Sequence, residues 1–366
     1  MFIHSRASAL AQAKRIVHMS GGLPKVAVLT PVYNGGHLIH RAMDSVQAQT
    51  YPNVHHIVQD NACTDSTPEV VARYLNCAKP VTVYRNPALV SSNKNFNAVM
   101  ANRPADADYV MILCADDVLQ PNVIEAMVAV AESDPGVMAV TGQSLCVGKI
   151  LDHGWPEASP VLDGAEATRL LLRGEAGLTG LFVLFRANAI TDVPFFRNDM
   201  NSIDLDAALR QMLKGKFAYL KQPVAEMVLH DASLSSTRLD REYLHFQDFL
   251  TLMDHYGPQV MDPASFAATR RAYLRHYVRR LVFWRVAYGK KEIVQRHLNT
   301  AQARGKPFTA YDLMDALVDF GLCKVGLRQQ WRTTDARQHN LFEPIPPPDV
   351  VQRRAERAQK LSVARP

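Results

Sequence analysis

The sequence predicts an α/β fold with a mostly parallel central sheet flanked by helices, followed by a helical C-terminal region. Three observations predict it. From Lys25 to about residue 145, short β-branched runs alternate with helix-like stretches, the pattern of βαβ units whose strands are covered on both faces. Polar punctuation falls where strands give way to helices, the end at which such sheets bind ligands. Beyond Asp231 strand alternation stops and helical periodicity runs to about Gly326.

Taken in order, KVAVLT is the first strand and HLIHRAMDSVQAQ a helix with apolar residues three or four apart. VHHIVQ and VTVYR are the next strands, with the helix TPEVVARYLN between them. NKNFNAVMAN, YVMILC, NVIEAMVAVAE and VMAVTG continue the alternation. Residues 146–180 carry Gly, Pro and Asp at irregular spacing and read as a long loop region, with a helix near Ala165 to Arg173. LFVLFR is then a strand, IDLDAALRQMLKG an amphipathic helix, and FAYL and VAEMVLH two further strands. The final PIPPPDVVQRRAERAQKLSVARP is Pro-rich and then charged, the composition of a mobile tail.

Composition narrows the partners. At 366 residues and 48% hydrophobic content the chain has material for two domains with real cores. Five scattered cysteines with no Cys-x-x-Cys pair argue against a disulfide framework or structural zinc and favour a reducing cytoplasm. The net charge of +6 is concentrated after about residue 265, in RRAYLRHYVRRLVFWR and VQRRAERAQK. Such charge suits an anionic membrane face, an oligomer surface or solvent; no base-reading motif accompanies it, which argues against nucleic acid. No segment approaches the roughly 20 apolar residues of a membrane-spanning helix. MFIHSRASALAQAKRIVHMSGG is basic, but its apolar stretches are too short for a secretory signal, so it reads as a flexible leader.

The residues beyond the strand ends carry the chemistry. TPVYNGGH follows the first strand without the Gly-x-Gly-x-x-Gly of a dinucleotide site, and no Gly-x-x-x-x-Gly-Lys-Ser/Thr phosphate loop is present. A diphosphate bound here therefore needs a cation. MILCADDVLQP ends an apolar run on Asp116 and Asp117, which are either turn residues ahead of Pro121 or ligands of a divalent metal.

Several segments together resemble the inverting glycosyltransferases of family 2, whose nucleotide-binding domain has the GT-A fold. They are VAVLTPVYNG, HHIVQDNACTDSTPEVV, SSNKNFNAVMA, YVMILCADDVLQP and SIDLDAALRQMLKGKFAYLKQPVAEMVLH, in the family's order over about residues 25 to 230. The resemblance implies a nucleotide-sugar-binding half at 25–145 and an acceptor half at 146–230, and composition and periodicity set a leader at 1–24, a helical region at 231–330 and a tail at 331–366 beside them. It implies a UDP- or dTDP-sugar donor, a glycan or lipid-linked glycan acceptor in surface polysaccharide or lipopolysaccharide synthesis, and Mn²⁺ or Mg²⁺ as cofactor.

Residue by residue, the resemblance places Thr30, Pro31 and Tyr33 beside the nucleotide, where Tyr33 either stacks on a base or packs within its loop. Asp60 is expected to accept a uracil or thymine imide N–H, while Asp65 is the better helix cap. Asn95 stands where the family contacts sugar or phosphate. Asp116 and Asp117 match the metal motif, with Cys114 where the family usually has its first Asp. His230, at the end of VAEMVLH, is a further metal or diphosphate contact, or structural. Arg238 is a possible phosphate clamp. Asp204 matches the catalytic base, preceded by Ile203 instead of Glu, and could otherwise be a stabilising N-terminal helix charge. Asp199 and Asp206 are the reserves. Two rival readings remain: a sugar-nucleotide pyrophosphorylase, which TPVYNGGH opposes because it lacks a Gly-rich basic loop, and a noncatalytic nucleotide-sugar-binding scaffold, which Cys114 and Ile203 allow.

Overall fold

The computed structural model describes residues 22–146, 148–156, 159–178, 182–228, 244–328 and 331. They form two compact units, one before and one after residues 229–243, with 172–174 grouped in the second. Residues 1–21 of the leader, His230, Arg238 and the tail after Trp331 lie outside the described residues.

The first unit opens with β1 (Val26–Val32), in which all seven residues are buried, as a strand covered on both faces requires. Then follow α1 (Ile39–Gln47), β2 (Val54–Asp60), α2 (Thr67–Ala72), β3 (Val81–Arg85), α3 (Ser92–Ala101), β4 (Tyr109–Ile112), β5 (Val118–Leu119) and α4 (Val123–Ser133). β6 (Val137–Cys146), β7 (Lys149–Leu151), β8 (Val161–Asp163), α5 (Gly164–Leu172), β9 (Leu184–Arg186), α6 (Ile203–Met212) and β10 (Lys216–Met227) complete it. The sheet runs β3-β2-β1-β4-β9-β6-β10-β5, with β7 on β6 and β8 on β10. Its first four strands are parallel, as the alternation predicts. The sheet as a whole is mixed, because β9 enters antiparallel between β4 and β6.

Two local expectations are corrected. FAYL and VAEMVLH are not separate strands: Lys216–Met227 is one strand, parallel to β6, whose register shifts between Leu220 and Pro223 and again before Ala225. Pro223 lacks an N–H to give the ladder and sits at that irregularity, where its loss costs least. Nor is the rest of 146–180 all loop, since it holds β7, paired with β6, and β8, paired with β10. Strands of three residues have no periodicity to read; their partners define them.

The second unit contains α7 (Leu244–Val260), α8 (Pro263–Ala287), α9 (Lys291–Ala303) and α10 (Ala310–Lys324). Asp262 caps α8 by accepting from the backbone N–H groups of Ala264 and Ser265, both at 3.0 Å, with Pro263 at the first helical position. Thr309 and Asp312 form a capping box on α10. Gly257 lets α7 meet the start of α8: a Cβ there would lie 2.6 Å from the Phe266 ring. Phe246, Tyr273, Tyr277 and Trp284 fill the core. No described helix is long and apolar enough to cross a membrane.

Three buried histidines make the fold acid-sensitive. Burial lowers His56 to about 3, His153 to about 4 and His276 to about 3. The unfolded chain takes up their protons below about pH 6.5 while the folded chain refuses them, so stability is present above that pH and is lost as pH falls toward 3. Between pH 8 and 5 each should cost about 1–2 kcal/mol. Urea unfolding at pH 5, 6, 7 and 8 should show midpoints rising with pH. A flat profile would mean that these sites admit the proton.

Candidate active site

The sheet brings its polar strand ends to one edge. The Thr30 hydroxyl is fully buried and 2.8 Å from the His56 ring, so it faces the sheet interior. Pro31 lies inside β1 and not beyond it. β4 has already stopped at Ile112, so Pro31's missing N–H leaves no ladder bond unmade. Tyr33 projects from the following loop and is 50% exposed, the state in which a ring is free to meet a base. Gly36 closes this loop on the turn before α2: its N–H donates to Asp65 at 2.9 Å, and a Cβ would lie 2.4 Å from Ser66 Oγ. Asp65 also accepts from the Thr67 N–H at 3.0 Å, the capping role expected of it.

Asp60 ends β2 almost fully buried. Its Oδ1 accepts from the Cys63 N–H at 2.7 Å, and Arg85 donates to its Oδ2 and, at 2.9 Å, to the Cys63 carbonyl. Ala62, between them, has φ +55°, a conformation costly for a residue with a Cβ; the Asp60 and Arg85 bonds hold it there. Beside this turn, Asn86 donates to Asn61 and Asn95, both at 2.9 Å, and accepts from Gln59 at 2.9 Å. Asn95 is thus buried in an amide network that holds the chain after β3.

Arg85 was not singled out from the sequence. The signal lies in register: in the parallel β2/β3 pair Asp60 stands opposite Arg85. Two charges at equal positions of adjacent parallel strands are neighbours, but strand adjacency must be known first.

Cys114, Asp116 and Asp117 follow β4 and turn the chain into β5. Their ligand atoms all lie within 4.8 Å of one another. Asp117 is 7% exposed, and its Oδ1 accepts from the Val228 N–H at 3.2 Å at the end of β10. Burial and the Asp116 charge push its carboxyl well above the usual range. A buried carboxylate beside a second negative charge is poorly placed unless a cation joins them. The donor set fits a hard divalent ion on its two carboxylates. The thiol fits less well: burial, then Asp117, Asp116 and Asp204, push Cys114 well up, so it stays protonated.

Asp204 lies in the first turn of α6, and its charge helps to raise the Cys114 thiol. Asp206 is fully buried and bound at 3.0 Å by Arg210, which also pairs with Asp192 at 2.9 Å. Asp199 is held by both ends of the Arg197 fork, at 2.9 and 2.7 Å. Both reserve carboxylates are therefore committed to arginines.

The profile of glycosyl transferase family 2 matches residues 27–193. The chain is 26% identical over 227 residues to chondroitin synthase of Pasteurella multocida, covering 60% of this chain and 22% of that protein. It is 24% identical over 205 residues to poly-beta-1,6-N-acetyl-D-glucosamine synthase of Staphylococcus aureus, covering 53% and 47%. It thus spans half or less of the length of these relatives. Among solved structures, S. aureus TarS 1-349 in complex with UDP-GlcNAc superposes with a TM-score of 0.56 at 16% identity, covering 81% of each chain. The mannosyltransferase PcManGT from Pyrobaculum calidifontis, in complex with GDP-Man and Mn²⁺, superposes with 0.52 at 19% identity, covering 90% of each. The structural likeness establishes the GT-A fold, and residues 27–193 match the model of the family 2 glycosyl transferases.

Proposed function

We propose that this chain is an inverting glycosyltransferase that moves a sugar from a UDP- or dTDP-sugar to a hydroxyl acceptor in surface polysaccharide, lipopolysaccharide or related glycan synthesis. The observation that carries the reading is the cluster after β4, in which Asp116 and the buried Asp117 lie with Cys114 within 4.8 Å of one another, while the charge of Asp204, in the first turn of α6, acts on that same Cys114. Asp116 and Asp117 would hold Mn²⁺ or Mg²⁺, with His230 as a further ligand. When bound, the ion supplies neutralising charge to the departing diphosphate. Asp204 takes the proton of the acceptor hydroxyl as that oxygen attacks the anomeric carbon, and a single in-line displacement inverts the configuration. Thr30 and Pro31 shape the wall of the nucleotide site, Tyr33 stacks on the base, and Asn95 holds the chain beside it.

Asp60 and Arg85 read the base. A carboxylate accepts the imide N–H of uracil or thymine, and the guanidinium beside it donates to a neighbouring carbonyl. The solved relatives were captured with both a UDP-sugar and a GDP-sugar, so the base must be tested. Incubation with UDP-, dTDP-, GDP- and CDP-sugars and Mn²⁺ should release UDP or dTDP slowly and GDP or CDP least. Among free nucleotides, UDP or dTDP should give the greatest thermal protection. Stronger protection by GDP would refute the assignment; no release from any donor would favour a binding scaffold.

A further inference from the structure

The last described helix, α10, is amphipathic in the wrong direction. Its buried side carries Asp315 and Asp319, 14% and 8% exposed at their side chains. Its open side carries Tyr311, Leu313, Met314, Leu317, Val318 and Phe320, each between 42% and 66% exposed. At 100° per residue these six fall on one half of the helix and the two acids on the other. The acids are satisfied: Arg271 and Arg275 bind Asp315 at 2.9 and 2.7 Å, and Arg279 and Arg328 bind Asp319 at 3.5 and 3.0 Å. The polar side is therefore locked against α8, and the apolar side is left in solvent.

Such a face needs a cover. The six side chains expose on the order of 700 Å², beyond the few hundred Å² of contiguous apolar surface usual on a monomer and close to the roughly 800 Å² that each partner contributes to a standard interface. Val325 and Leu327 extend it past the helix end, 69% and 76% exposed. We propose that the cover is a second copy of this chain, the two α10 helices packing face to face about a two-fold axis.

Charge selects this occupant. An anionic lipid surface is drawn by free cations around an apolar face. Here the nearest arginines are held in ion pairs by Asp315 and Asp319 on the opposite half of the helix, and the open half carries one basic residue, Lys324, and no acid. A two-fold contact sets the same patch against itself, so a nearly uncharged apolar surface is complementary to its own copy. Gly321 lies in the middle of the open half with nothing within 4 Å of a Cβ position, which permits close approach of a second helix.

Sedimentation velocity of the full chain across the micromolar range tests this. The wild type should form a species of twice the 40.8 kDa chain mass, and Leu317→Glu should be monomeric with an unchanged circular dichroism spectrum. If Leu317→Glu misfolds, Leu317→Cys in a Cys77→Ser background supplies the second measurement. That variant should cross-link to a disulfide-bonded dimer under mild oxidation, because a residue near the axis meets its own copy. A wild type that stays monomeric at 100 micromolar overturns the proposal, whether or not phosphatidylserine vesicles or residues 332–366 then prove to cover the face. A dimer that persists in the folded Leu317→Glu protein, or fails to cross-link through Leu317→Cys, overturns it equally.

Discussion

Asp204→Asn should lower sugar transfer about a hundredfold or more, the usual scale for losing a positioned base, while donor binding stays almost unchanged. Asparagine keeps the shape and hydrogen-bonding reach of aspartate but cannot take a proton. Asp204 occupies the first turn of α6, where a negative charge also steadies the helix. That helix contribution is worth only about 0.3–1 kcal/mol, so its loss cannot imitate a collapse in turnover. The split between unchanged donor affinity and collapsed transfer is therefore the signature of a base. The product should carry the inverted anomeric configuration. Near wild-type transfer by Asp204→Asn, or a retained configuration, would refute the assignment. Asp199 and Asp206 are poor substitutes, because each is already engaged by arginine.

The contrast between Asp204 and Arg85 explains what a one-dimensional reading reaches. Asp204, Asp116 and Asp117 belong to contiguous segments whose residue types carry their own chemistry. Arg85 ends VTVYR and becomes a site residue only through its register with Asp60. β1 was readable because both its faces are buried, leaving an uninterrupted apolar run. β10 was divided in reading because Pro223 looks like a break, whereas tertiary pairing carries the strand across it.

The basic C-terminal run gives a second contrast. RRAYLRHYVRRLVFWR reads as a surface for an anionic partner, yet Arg270 pairs with Asp254, and Arg271, Arg275 and Arg279 with Asp315 or Asp319. Its partners lie 16 and about 40 residues away along the chain, beyond any helical period, so no local pattern could reveal that these four arginines are held in internal ion pairs.

Asp117→Ala should weaken binding of a UDP- or dTDP-sugar in the presence of Mn²⁺ by more than tenfold, about 1.4 kcal/mol or above. The wild type should bind the same donor far better with Mn²⁺ or Mg²⁺ than with chelator. The reason is electrostatic: a diphosphate brought beside Asp116 and Asp117 meets like charge, and a cation between them converts repulsion to attraction. Removing the buried carboxylate should have the opposite effect on the metal-free fold. Asp117 is 7% exposed and its charged form is disfavoured by burial and by Asp116. Asp117→Asn removes that penalty while keeping an acceptor for the Val228 N–H. The metal-free variant should therefore melt at or above the wild-type temperature, and Mn²⁺ should no longer stabilise it. A general loss of structure would lower the melting temperature with and without metal, so calorimetry and thermal melts together separate a ligand from a packing residue. Equal donor affinity with Mn²⁺ and with chelator in the wild type would remove the metal from the mechanism.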